Sequence, residues 1–168
     1  MPADVVVVGG RCAGATLAAE LAERGRSVVL LDRSDFPSDA FSTHLIQANG
    51  AGYLHGHGVL AALTDAGSPL MGRVAVCFDG VVLNHRFAVD APYRAAISAS
   101  RKVLDAALLE RARCAGALVL TRCTFREPLV EDGRVVGVRA VQGGREIELR
   151  GHLVAGCDGR QSAFAEAV

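Results

Sequence analysis

The chain has 168 residues, 51% of them hydrophobic, enough for one core but not for two full domains. Eighteen basic residues balance eighteen acidic ones, so no net field draws it onto nucleic acid or an anionic membrane, and a small organic molecule is the expected partner. The N-terminus lacks a positive stretch, the apolar run Val5 to Val8 is too short to span a bilayer, and five scattered cysteines contain no C-x-x-C pair. We therefore expect a cytoplasmic protein with reduced thiols, no membrane span and no metal site.

Val5 to Val8 is a β-branched run ending in glycines, as in a parallel strand buried on both faces. A helix is predicted from about Ala13 to Arg24, with Gly14, Leu17, Ala18 and Leu21 on its inward stripe and Gly25 as its stop. A second apolar strand, Ser27 to Leu31, ends at Asp32 and completes a βαβ unit. Between Arg33 and Gly67 helical spacing is patchy, around Leu54, Leu60 and Leu63. The runs Arg73 to Phe78 and Val81 to Phe87 flank Asp79-Gly80, a strong hairpin signal.

Ser100 stands as the N-cap of a helix with Leu104, Leu108, Arg111 and Ala115 on or near one face and Gly116 at its end. Ala117 to Leu120 reads as a further core strand. Asp132-Gly133 and Gly143-Gly144 then punctuate three short strands of a β-meander, and a separate last strand, His152 to Ala155, delivers the chain to Gly156-Cys157-Asp158-Gly159-Arg160. The predicted fold class is α/β: a Rossmann-like, mostly parallel sheet with a β-meander crossover and a protruding antiparallel hairpin.

The segment Gly9-Gly10-Arg11-Cys12-Ala13-Gly14 lies between strand and helix, and Asp32 closes the next strand 18 residues after Gly14. That is the context of a dinucleotide-binding fingerprint. Gly9 permits a tight turn, Gly14 permits close packing of helix on strand, and the free amides of the helix start attract a pyrophosphate. Asp32 is placed to accept hydrogen bonds from ribose hydroxyls. One position departs from G-x-G-x-x-G: Arg11 replaces the second glycine, and its guanidinium either turns to solvent or contacts a phosphate or nearby cofactor oxygen.

With these residues the chain resembles the N-terminal portion of the aromatic-ring hydroxylase and geranylgeranyl reductase group of FAD-dependent oxidoreductases. The likeness rests on the fingerprint, on Arg101 to Leu108, and on Cys157-Asp158-Gly159-Arg160-Gln161-Ser162; Phe36-Pro37-Ser38-Asp39 and Ser42-Thr43-His44 also resemble a subgroup in which Arg replaces the second glycine. The resemblance implies FAD as cofactor, NAD(P)H as electron donor, and hydroxylation or reduction of a small organic substrate. It implies that Asp158, with Gly159, binds the ribityl chain, as a carboxylate that accepts from sugar hydroxyls can do. It implies also that Arg101 lies against the FAD phosphates or ribityl region, and that Thr43 and His44 lie near the flavin. Arg33 follows Asp32 and is a candidate for the adenosine, and Cys12 for a buried thiol against the cofactor. The motif departs from the family at Ala165, near which an Arg is usual.

The span 1–168 is expected to be the FAD-binding domain, with 70–90 as part of a substrate-domain hairpin and the C-terminal part of the family fold missing. The hairpin edges are then open to self-association. No catalytic residue is assigned: His44, His55 and His57 share a region, but His55-x-His57 supports neither a metal site nor acid-base chemistry. Two rivals are an NAD-dependent dehydrogenase, in which Asp158 has no role, and a non-catalytic nucleotide-binding module.

Overall fold

A computed structural model describes residues 2–86 and 94–168. Its elements, in chain order, are β1 (Ala3–Val8), α1 (Cys12–Glu23), β2 (Val28–Leu31), β3 (Leu45–Ile46), α2 (Ala48–Gly56), α3 (Val59–Asp65), β4 (Leu70–Met71), β5 (Arg73–Phe78), β6 (Val81–Arg86), β7 (Ala96–Ser98), α4 (Arg101–Cys114), β8 (Leu118–Leu120), β9 (Cys123–Glu131), β10 (Arg134–Gln142), β11 (Arg145–Gly156) and α5 (Ala163–Ala167). They fall into two compact units, one of residues 1–38 and 108–168, the other of residues 39–107.

The first unit is built on a six-stranded sheet in the order β8-β2-β1-β11-β10-β9. β1 pairs in parallel with β2 and β11, and β2 in parallel with β8, so the predicted mostly parallel α/β sheet is present. Val6 and Val7 at its centre are fully buried, as expected of a β-branched run covered on both faces. Of the stripe expected on α1, Gly14 and Ala18 are buried, with Ala15 and Ala19 beside them, while Leu17 and Leu21 stand half-buried at its flanks. Small residues let the helix axis approach the sheet closely, which leucines on that line would prevent. Arg111, on the C-terminal half of α4, donates to Glu20 and Glu23 of α1 at 2.8 and 2.9 Å and ties the two helices together.

The meander differs from expectation. Its third strand and the separate last strand are one continuous element, β11, whose first half pairs antiparallel with β10 and whose second half pairs parallel with β1. Gly151, at the changeover, is buried with Val6 against it, where no bulkier residue fits without displacement. Ala117 to Leu120 contributes only the edge strand β8, with Leu118 exposed rather than in the core. A core cluster of Val6, Val8, Leu31, Cys123, Val138, Ala140 and Phe164 holds the sheet, meander and α5 together.

In the second unit β7 lies between β3 and β4 in a three-stranded antiparallel sheet, and the weakly patterned stretch before it forms α2 and α3. Leu54, Leu60 and Leu63, the residues that carried that pattern, are buried. The hairpin is β5 and β6, joined by Asp79 and Gly80 at φ of 44° and 78°, the left-handed pair that a two-residue turn needs. Val76, Phe78, Val81, Val82 and Leu83 on it are exposed. The expected last hairpin residue, Phe87, and the rest of the 70–90 span beyond Arg86 lie outside the described residues. Among the described residues no helix is long and apolar enough to cross a membrane.

Candidate FAD-binding site

Three neighbouring parallel strands, β2, β1 and β11, end side by side. Val8 is level with Leu31 on one side and Gly156 on the other, so the next residues, Gly9, Asp32 and Cys157, emerge at one edge of the sheet. The Gly9 amide donates to the Leu31 carbonyl at 2.8 Å and the Cys157 amide to the Val8 carbonyl at 2.6 Å, which closes this junction. The chain leaves β1 toward β2 on one side while β11 arrives on the other, a reversal of strand order of the kind that opens a ligand crevice at the carboxyl ends of strands.

Gly9 has φ of 101°, and a Cβ there would stand 2.5 Å from the Cys157 carbonyl oxygen. No other residue combines that backbone with that contact. A Cβ on Gly14 would fall 1.7 Å from the Gly9 carbonyl oxygen, so the start of α1 is pressed against the strand end. Arg11 is the N-cap of α1 in extended backbone and its side chain makes no cap bond. The first-turn amides, those of Ala13 and Gly14 among them, have no acceptor a turn earlier in the helix and face outward with its positive end. Cys12 is half-buried and Ala13 exposed.

The Arg11 side chain is half-buried. Its guanidinium donates to Ser38 Oγ at 3.2 Å and lies 5.5 Å from the centre of the Phe36 ring, so the loop after β2 holds it beside the glycine turn. Phe36 and Ser38 belong to the segment singled out with the Arg11 variant of the fingerprint.

Asp32 is 8% exposed. Its carboxylate accepts from the Gly10 amide at 2.7 Å and from the Ser34 amide at 2.7 Å, while its own amide donates to Leu120 and its carbonyl accepts from Cys123, each at 2.9 Å. A carboxylate has about four acceptor positions, so two bonds leave capacity for ligand hydroxyls. Arg33 is exposed.

Asp158 follows β11 and has a local task. Its carboxylate accepts from Ser162 Oγ and from the Phe164 amide, while Ser162 Oγ accepts from the Ala165 amide at 2.9 Å and caps α5. Gly159, at φ of 96°, makes the turn between them. The sequence reading missed this cap, although Asp-x-x-x-Ser ahead of a short apolar helix is its signal. Burial, and after it the Asp158 charge, raise the Cys157 thiol above the ordinary value of 9.0.

The other predicted site residues lie in the second unit. Thr43 is exposed, and His44 next to it adopts a left-handed backbone with φ of 58°. His44 Nδ1 lies 3.3 Å from the Ala99 carbonyl, and the Ala99 amide donates to the His44 carbonyl at 2.9 Å, so the strained residue is held by β-type contacts to the β7 end. His55 ends on α2 and His57 is its C-cap residue. Arg101 is the first residue of α4, and the Val103 amide donates to Ser100 Oγ at 3.4 Å, the capping position expected of Ser100.

Residues 2–168 match the family model described as FAD binding domain. The chain is 32% identical over 162 residues to the 6-methylpretetramide 4-monooxygenase of Streptomyces rimosus and 33% identical over 167 residues to digeranylgeranylglycerophospholipid reductase 2 of Methanothermobacter thermautotrophicus, covering 95% and 98% of itself but only 39% and 41% of those proteins. Among solved structures it is similar to the myxobacterial chondrochloren halogenase, an FAD-dependent enzyme, with TM-score 0.87 and 27% identity over 99% of this chain and 39% of that one. It shares its fold with a geranylgeranyl bacteriochlorophyll reductase-like protein of Thermoplasma acidophilum, with TM-score 0.83 and 20% identity over 99% of this chain and 41% of the other. The sheet, the glycine turn and the strand-end acid described above accompany a match over nearly every residue: the chain belongs to the FAD binding domain family.

Proposed function

We propose that this chain is the FAD-binding portion of a flavin-dependent oxidoreductase, a monooxygenase or reductase of a small organic substrate that draws electrons from NAD(P)H. The observation that carries the reading is Asp32, buried at the end of β2, bonded to the Gly10 amide and next to the start of α1. This arrangement fits a ribose with an adjoining pyrophosphate.

In this reading Gly9, Cys12, Ala13 and Gly14 offer backbone to the pyrophosphate, Arg11 supplies a fixed positive charge beside it, Asp32 accepts from the ribose, and Arg33 lies along the adenosine. Asp158 and Gly159 serve the ribityl chain, Arg101 a phosphate, and Thr43 the flavin surroundings. The bound flavin supplies the redox chemistry. What the residues of this chain contribute is orientation: a charged pyrophosphate held on helix amides and a ribose held on a carboxylate fixed by two hydrogen bonds to its oxygens and two to the Asp32 backbone.

The span 1–168 is read as one functional FAD-binding domain. The hairpin within 70–90 then forms part of a substrate wall, its apolar residues covered by further chain or by a second copy. Free cysteines at all five positions support a reducing, cytoplasmic setting.

Titration of the protein with FAD and separately with NAD(H), followed by calorimetry and flavin absorbance, tests the reading. FAD binding that weakens in Asp158→Ala and in Asp32→Ala is expected. Preference for NAD(H) would restore the dehydrogenase alternative, and binding of neither would mean that Arg11, or the lack of the remaining family fold, has cost these residues their site.

A further inference from the structure

Asp105 is fully buried, an unusual place for a carboxylate. Arg101 Nε and Nη2 donate to its two oxygens, each at 3.0 Å, in a two-pronged pair one helical turn apart. Arg101 itself is partly accessible, its side chain 17% exposed, and among the described residues its Nη1 group makes no hydrogen bond.

Helix stability does not explain this placement. Arg101 and Lys102 put two cations on the positive end of α4, whose first turn contains no acid, and the pair runs from Arg to Asp, the less favourable order along a helix. A buried carboxylate beneath a misplaced cation reads instead as a mount: it fixes one side of the guanidinium and leaves the other side's donors for an anion.

We propose that Asp105 is a positioning residue that presets the Arg101 guanidinium for a phosphate of the bound FAD. The proposal rests on the reading that Arg101 contacts that cofactor. Two effects of Asp105 oppose each other. Its charge partly cancels the attraction of Arg101 for phosphate, and its fork removes the rotamer freedom Arg101 would otherwise lose on binding. The fork is formed before any anion arrives, so we take positioning to prevail, and the sign of the Asp105→Asn effect decides it.

The experiment is a double-mutant cycle on FAD affinity, run with urea melts of each variant. Asp105→Asn is expected to weaken FAD binding roughly 3- to 10-fold, the range for immobilising one long side chain, and to have no further effect in an Arg101→Gln background. Arg101→Lys, which keeps the charge, leaves Asp105 in place and loses the fork, is expected to weaken binding to a similar degree. Tighter binding by Asp105→Asn, equal weakening in both backgrounds, or wild-type affinity in Arg101→Lys would each overturn the positioning role. An Arg101→Gln variant that binds FAD like wild type would instead remove the contact on which the proposal rests.

Discussion

The Asp32 carboxylate accepts the Gly10 amide at 2.7 Å, so the acid that ends β2 also holds the turn that ends β1. The same carboxylate that the proposed reading assigns to the ribose therefore ties the glycine turn to β2. Asp32→Ala leaves the Gly10 and Ser34 amides without this partner and should cost about 1–3 kcal/mol in urea unfolding, together with at least a tenfold loss of FAD affinity by calorimetry. Wild-type FAD affinity in a folded Asp32→Ala protein would contradict the ribose assignment.

Gly14→Ala tests the close approach of α1 to the strand end. The new methyl would stand 1.7 Å from the Gly9 carbonyl oxygen, and backbone cannot yield as a side-chain tip can. Thermal unfolding should show a loss at or above the ~1–3 kcal/mol usual for overpacking. Ala13→Ser, one residue earlier and exposed, should melt like wild type.

Asp158 and Ser162 can be separated. Ser162→Ala removes the cap of α5 and should cost about 0.5–2 kcal/mol while FAD affinity stays within twofold. Asp158→Ala should cost a similar amount and also lose FAD affinity. If both variants bind FAD equally well, the carboxylate serves only the cap.

Burial holds the Cys157 thiol above 9.0, the Asp158 charge adding to the effect. Because its folded value is raised, its contribution to stability is complete below 9.0 and is lost as pH rises through the folded value. Mass-spectrometric alkylation with iodoacetamide should label exposed Cys77 and Cys114 well before Cys157 at pH 8. Labelling of Cys157 at the rate of the exposed thiols would argue against a closed Gly9 junction.

At the other end of β1, the Asp4 carboxylate accepts from the Ser27 amide at 2.8 Å and its hydroxyl at 2.9 Å. Those bonds, the backbone one foremost, lower its pKa below 3.8. Its contribution is present above 3.8 and fades as pH falls through the lower folded value. The urea midpoints of wild type and Asp4→Ala should thus differ at pH 7 and converge below that value; a gap that persists in acid would show that Asp4 acts otherwise.

The sequence alone determined the βαβ unit, its glycine turn and the acid at the end of β2. Each rests on a local rule: β-branched runs favour strands, left-handed turns require glycine, and an acid directly after an apolar strand has few other uses. The Asp79-Gly80 hairpin was legible for the same reason. Tertiary structure decided the rest. Whether Gly151 breaks a strand or lets one strand pair antiparallel with β10 and then parallel with β1 depends on Val6, distant in sequence, and how Arg11 is held depends on Phe36 and Ser38. In sequence Arg101 is a candidate cofactor contact by resemblance and Asp105 carries no signal; only the packing that excludes water from Asp105 makes the two a buried fork, because burial is a property of neighbours that the chain brings from elsewhere.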